Sequence, residues 1–141
     1  MKVVIGCDHA GLAMKDALID RVLTDYEIID LGTDSPTPVD YPDIARKVAD
    51  AVVTGRAEQG ILICGTGIGM AMAAGKVSGI RAATCTDPYS AELSRSHNNA
   101  NILCLGARIV GLGLAEKIVA TWLSTPFARG RHTRRIEKIE Q

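Results

Sequence analysis

A fivefold alternation of short apolar runs with helical segments constrains the fold of this chain more than any other sequence feature. The apolar runs are KVVIGC, EIIDLG, GILICG, GIRAATC and NILCLG. They are nearly continuous rather than alternating with polar residues, which is typical of strands buried on both faces of a parallel sheet. Because a helical pattern follows each run, we predict five parallel strands in a three-layer α/β/α arrangement.

The predicted helices have recognisable boundaries. Asp87 is the expected N-cap of the fourth helix, and Pro88 suits its first turn. The prolines at positions 36, 38 and 42 predict irregular structure before the second helix, and the basic tail 128–141 is expected to be helical. The five helical segments are AGLAMKDALIDRVLT, DIARKVADAVVTG, GMAMAAGKV, DPYSAELSRSH and GLGLAEKIVATWLS. With 141 residues, the chain 1–141 is expected to form one domain.

Reactive side chains follow the predicted strands where each strand ends. Because ligands of parallel sheets bind at the carboxyl ends of the strands, the fold gathers these residues at one edge. They are Cys7, Asp8 and His9 after the first strand, Cys64 and its glycines after the third, and Thr86 and Asp87 after the fourth.

Composition argues against several classes of protein. The 16 basic and 16 acidic residues balance, so a general nucleic-acid binder is not expected. The N-terminus reaches Asp8 after a few apolar residues and no run approaches the ~20 residues of a membrane span, which predicts a cytoplasmic protein without a membrane partner. The four cysteines form no C-x-x-C pair, and Cys7 with His9 lacks a second pair of ligands, so neither disulfides nor a zinc site is expected.

The turn CGTGIGM, residues 64–70, does not fit the known nucleotide motifs. A dinucleotide fingerprint would need glycine at position 70 or 72, and both are Met. A P-loop would need Ser or Thr where Val77 stands, and a thiol phosphatase would need an arginine just after the loop, where Met70 stands. A tight packing turn without a ligand remains an alternative.

Cys64 at the start of this turn suggests proton transfer instead. The field of a helix N-terminus favours a thiolate, and its free N–H groups bind anions. A base beside such a cradle is what proton abstraction next to a carbonyl requires. Further along the chain, His97 heads HNNAN, and Arg131 and Arg135 share a helical face, a pairing that suits phosphate. The alternatives are a structural histidine and a solvated basic helix.

As a set, GCDHAG, VDYPD, CGTGIGM, DPYSAELSRSHNNANILCLGAR and GRHTRR resemble, in this order, the type B ribose-5-phosphate isomerases. That family also includes galactose-6-phosphate and allose-6-phosphate isomerases. The resemblance implies a Rossmann-like domain that works as a homodimer or tetramer, with active sites shared between subunits and no metal or other cofactor. It implies interconversion of ribose 5-phosphate and ribulose 5-phosphate, a reaction of the pentose phosphate pathway, through an enediolate.

The resemblance also implies roles for individual residues. Cys64 is the base, and His97 opens the sugar ring with help from Asp8. Met70 stands where some members carry a glutamate base, and Asn99 stands where Asp is commoner. The oxyanion cradle is formed by Gly65, Thr66, Gly67, Ile68 and Gly69; the sugar is lined by Tyr41 and Asn98; and the phosphate is held by His9, Arg108, Arg131 and Arg135, some of them from a partner subunit.

Two other functions remain open from the sequence. A hexose-6-phosphate isomerase would share these motifs. A non-catalytic sugar-phosphate binding protein would use the glycines and arginines, but it would not need a thiol base or an acid.

Overall fold

A computed structural model describes all residues, 1–141. The strands are β1 (Lys2–Cys7), β2 (Glu27–Asp30), β3 (Gln59–Cys64), β4 (Ala82–Thr84) and β5 (Ile102–Gly106). The helices are α1 (Leu12–Arg21), α2 (Tyr41–Val53), α3 (Ile68–Ala74), α4 (Pro88–Ser96), α5 (Leu112–Ser124) and α6 (Arg131–Ile139), with a 3-10 turn at His9–Gly11. No helix has both the length and the apolar character that crossing a bilayer requires.

The five strands form one parallel sheet in the order β2-β1-β3-β5-β4. Alternate residues of the central strands face two separate cores. Ile5 and Ile63 pack in the core that includes Leu18 of α1 and Trp122 of α5. The opposite core holds Leu62 with the side chains of α2 and α3. The predicted three-layer α/β/α, Rossmann-like fold with a five-stranded parallel sheet is thereby confirmed.

The order of the strands creates a crevice between β1 and β3. The chain leaves β1 toward α1 on one face of the sheet, whereas it leaves β3 toward α3 on the other face. Where neighbouring connections diverge in this way, the carboxyl ends of the strands border an open space. Cys7 pairs with Ile63 in the register of the two strands, so the loops that follow them start at the same level.

Several boundaries differ from the sequence prediction, three of them for a clear physical reason. Pro42 was expected in an irregular segment but lies in the first turn of α2, where proline needs no hydrogen-bond donor and its φ fits the helix. The helix α1 begins after a 3-10 turn that Asp8 caps. The strand β4 is only three residues long because it lies at the edge of the sheet and pairs with β5 alone.

Two predictions about helix ends are confirmed. Asp87 caps α4 by accepting hydrogen bonds from the N–H and the hydroxyl of Ser90, and these bonds lower the pKa of its carboxyl group. Pro88 occupies the first turn of that helix. The basic tail is helical, with α6 covering most of it.

Candidate active site

A cleft of about 460 Å³ opens at the crevice between the ends of β1 and β3. Its lining residues are Asp8, Tyr41, Cys64, Gly65, Thr66, Ile68, Gly69, Met72 and Arg108. All of them except Met72 were named from the sequence. Met72 follows Ile68 by one helical turn, so the two side chains stand on the same exposed face of α3.

Cys64 ends β3 and points into this cleft with 5% of its surface exposed. The amide of Gly67 donates a hydrogen bond to its sulfur at 3.1 Å. Gly67 adopts a left-handed conformation with φ +79°, and an added Cβ would lie 2.9 Å from the carbonyl carbon of Leu105. Only glycine fits there without strain, and its N–H group is held against the sulfur of Cys64.

The turn after Cys64 presents several backbone donors that have no partner within the chain. The hydroxyl of Thr66 accepts a hydrogen bond from the amide of Ile68. The amides of Gly65, Thr66, Gly69 and Met70 donate no hydrogen bond within the chain. Gly69 and Met70 lie in the first turn of α3, where amides have no partner within the helix, so four free donors border the Cys64 thiol.

Two side chains lie over the glycines of this turn. The ring of Tyr41 lies over Gly69, where an added Cβ would come within 2.7 Å of ring carbons. The guanidinium of Arg108 lies over Gly65, with Nη1 3.3 Å from the position of an added Cβ. Gly69 therefore lets an aromatic ring approach the backbone directly, and Arg108 brings a positive charge close to Gly65.

Asp8 and His9 are held by the backbone on the β1 side of the cleft. The buried Asp8 carboxylate accepts hydrogen bonds from the amides of Ala10 and Gly11, both through Oδ1. The Nδ1 atom of His9 accepts a hydrogen bond from the amide of Val39, so the proton of the neutral ring sits on Nε2. His9 therefore offers an N–H donor next to the cleft.

The remaining predicted site residues lie at the opposite edge of the sheet. The helix α4 starts at the carboxyl end of β4 and runs back for nine residues, which is about 14 Å. His97 caps its far end, and the loop that follows returns to the amino end of β5, where Asn101 accepts a hydrogen bond from Gly60. One chain thus does not bring His97 together with Cys64.

His97 belongs to a second polar cluster, which includes a residue that the sequence analysis did not name. Its imidazole stacks on that of His132, with ring centres 4.2 Å apart and planes inclined by 13°. Arg131 and Arg135 flank His132 on α6, exposed and without an ion pair. The tail motif GRHTRR was the signal for His132, but only its arginines were assigned a role.

Asn98 and Asn99 make different contacts. Asn98 lines a separate cavity of about 350 Å³ beside the edge strand β4, together with Arg81. Asn99 has φ +45°, a conformation that asparagine tolerates better than most residues, and its side-chain oxygen accepts a hydrogen bond from Arg95. In this chain the side chain of Asn99 therefore contacts an arginine rather than His97.

Cys7 differs from Cys64 although both end central strands. It is fully buried in the opposite core, and burial raises the pKa of its thiol to about 11. All four cysteines are free thiols, and no group of three or more His, Cys, Asp or Glu side chains is arranged to hold a metal ion.

The sequence model of the family described as Ribose/Galactose Isomerase matches residues 3–139. The chain belongs to the ribose/galactose isomerase family. It is 48% identical over 139 residues to the ribose-5-phosphate isomerase B of Escherichia coli (strain K12), covering 98% of this chain and 93% of that protein.

Other similar proteins carry two different substrate names. A D-erythrulose-4-phosphate isomerase of Pectobacterium atrosepticum is 41% identical, covering 99% of this chain and 93% of that protein. The solved structure of Clostridium thermocellum ribose-5-phosphate isomerase B superposes with a TM-score of 0.97 at 53% identity, covering 99% of this chain and 95% of that one. The family is thus certain for this chain, whereas the names of its relatives span four- and five-carbon sugars.

Proposed function

We propose that this member of the ribose/galactose isomerase family interconverts ribose 5-phosphate and ribulose 5-phosphate. The observation that carries the proposal is the Cys64 thiol, open to a cleft and bordered by four backbone amides without partners. An aldose–ketose shift needs a base next to a site that stabilises negative charge on two neighbouring oxygens. This cleft supplies both.

The chemical step is a proton transfer between neighbouring carbons. The Cys64 thiolate takes the proton from C2 of the open-chain aldose, and the electron pair moves through the C1–C2 bond to leave an enediolate. The free amides of Gly65, Thr66, Gly69 and Met70 stabilise the oxygen charge. The thiol then returns the proton to C1, while a proton passes from O2 to O1, and the ketose results.

A second copy of the chain completes the site in this proposal. Ribose 5-phosphate is mainly a closed ring, so an acid must protonate the ring oxygen while a base accepts the proton of the C1 hydroxyl. His97 and Asp8 carry these roles, and since His97 lies at the far edge of its own sheet, it comes from the partner subunit. A two-fold dimer would form two such sites, each with the carboxyl edge of one sheet and the α4 end of the other.

The phosphate is held from both sides of this shared site. His9 donates through Nε2, Arg108 contributes a charge at the cradle, and the partner contributes Arg131 and Arg135. These arginines have no acidic partner within the chain, so they are available to a dianion. Tyr41 and the partner's Asn98 line the sugar between the two ends.

The test is an isomerisation assay with ribose 5-phosphate, erythrose 4-phosphate and allose 6-phosphate, with solvent deuterium followed at C2. We expect the highest kcat/KM on ribose 5-phosphate and deuterium at C2 of that sugar. A higher kcat/KM on erythrose 4-phosphate would favour the tetrose reaction that the Pectobacterium relative's name describes. Binding of the sugars without exchange would contradict any isomerase and support a binding protein.

A further inference from the structure

The stacked pair His97 and His132 gives His132 a task of its own. We propose that His132 is a positioning residue that fixes the ring plane of His97 for opening the sugar ring, an inference that rests on the proposed function. The two imidazoles are nearly parallel, and His132 is only 8% exposed. Its side chain has little exposed surface for a ligand, and one face of its ring packs against His97.

The stack with His132 is the side-chain interaction that orients the ring of His97. Its backbone is set, because its amide donates to the carbonyl of Leu93 at the end of α4. The imidazole itself makes no hydrogen bond within the chain, so no hydrogen bond sets its side-chain torsions. The face of His132 removes that freedom and leaves both ring nitrogens of His97 available to a sugar.

The position of His132 is fixed by the backbone at the start of α6. The amide of Ala128 donates to the carbonyl of Ser96, the residue next to His97. The chain then turns through Arg129 and Gly130, both with positive φ, and the amide of His132 donates to the carbonyl of Arg129. The hydrogen bond between Ala128 and Ser96 therefore joins the two segments that carry the stacked rings.

The surroundings of the stack act on the pKa of His132. Partial burial, together with the positive charges of His97, Arg131 and Arg135, lowers the pKa of His132, which keeps this ring neutral at neutral pH. These are the charged groups from α4 and α6 that act on His132. A neutral His132 adds no positive charge to the face of the His97 ring.

The positioning role of His132 can be tested by comparing two reactions, of which only one requires opening of the sugar ring. Conversion of ribose 5-phosphate requires ring opening. Exchange of the C1 hydrogen of ribulose 5-phosphate with D2O does not, because this ketose has no hydroxyl free to close a five-membered ring. We expect His132→Ala to lower kcat for ribose 5-phosphate by about 10- to 100-fold, as for a misplaced catalytic group, and to lower C1 exchange far less.

Two further variants make the comparison specific. His132→Phe keeps a flat ring and is expected to restore most of the kcat for ribose 5-phosphate. Thr133→Ala, at the exposed neighbouring position of α6, is the matched control and should change the ratio of the two rates by less than about twofold.

The protein has only three histidines, so the ring protons of His97 can be assigned by NMR, and His132→Ala should shift them downfield by removing the stacked ring.

The outcomes separate this inference from the proposed function. Equal losses in both reactions, a raised KM with unchanged kcat, or no loss in either reaction would overturn the positioning role of His132. His97 resonances that do not move in His132→Ala would overturn the stack itself. Wild-type protein that catalyses neither reaction would overturn the proposed function, and the positioning role with it.

Discussion

The amide nitrogen of Gly67 lies 3.1 Å from the sulfur of Cys64 and donates a hydrogen bond to it. Gly67 holds this donor in a left-handed turn just before α3, whose first-turn amides of Gly69 and Met70 have no partner within the chain. Gly67 therefore contacts the thiol and also marks the start of α3. Substitutions of Cys64 test the chemistry of this turn, and a substitution of Gly67 tests its stability.

Replacing Cys64 should abolish most of the activity without unfolding the protein. We expect Cys64→Ala and Cys64→Ser to lower kcat for ribose 5-phosphate by at least about 100-fold, the usual loss when a general base is removed. Steady-state kinetics with the purified variants measures this. Near-wild-type turnover in both variants would exclude Cys64 as the base.

Cys85→Ala is the matched control for this prediction. Cys85 directly follows β4, and its thiol contacts Ser94 rather than the cleft that Cys64 lines. We expect this variant to keep kcat within about threefold of the wild type, since it changes no group at the reacting carbons.

Gly67→Ala should destabilise the fold, because it forces a Cβ into the left-handed region and against the backbone of Leu105. We expect the free energy of unfolding to fall by about 2–4 kcal/mol, measured by urea denaturation. Gly113→Ala is the control, since Gly113 lies exposed in α5 with open space around its Cα. It should raise stability by about 0.5–1 kcal/mol. Equal effects of the two variants would contradict the packing at Gly67.

Cys64 should be the cysteine that reacts first with an alkylating agent. Burial raises the pKa values of Cys7, Cys85 and Cys104, so at pH 8 these thiols stay protonated and unreactive. Cys64 opens onto the cleft. Mass spectrometry after brief treatment with iodoacetamide should find the label on Cys64, and excess ribose 5-phosphate should slow it. Faster labelling of any other cysteine would contradict this order.

The sequence predicted the sheet well because its strands are buried on both faces. Ile61 and Leu62 are neighbours in sequence and both fully buried, each in a different core, so apolar character is continuous along β3. The edge strand β4 lacks this double burial, and its bounds were predicted too long. Pro42 misled the prediction because a first helical turn tolerates proline as well as a loop does.

The cleft residues were predictable, but their division between two edges of the sheet was not. Strand ends share an edge in any parallel sheet, so Asp8 and Cys64 could be placed together from the alternation of elements alone. His97 lies at the end of a helix, and the direction of that helix carries it away from Cys64. The stack with His132 could not be read from the sequence, because it depends on how α6 folds back onto α4.

Because Cys64 and His97 lie at opposite edges of one sheet, two inactive variants should restore each other's activity. Cys64→Ala and His97→Ala chains, each nearly inactive alone on ribose 5-phosphate, are mixed in equal amounts, unfolded and refolded together. Random pairing makes half of the dimers mixed, and each mixed dimer has one intact site out of two. We therefore expect about one quarter of the wild-type activity.

A mixture of wild-type chains with the double variant Cys64→Ala/His97→Ala checks the same geometry in the opposite direction. In a mixed dimer with shared sites, each site lacks one of the two residues, so only the wild-type dimers work. The activity should fall to about one quarter of the all-wild-type value, whereas sites within single chains would leave about one half. Failure of the first mixture to recover, together with one half in the second, would show that each chain works alone and would refute the shared site.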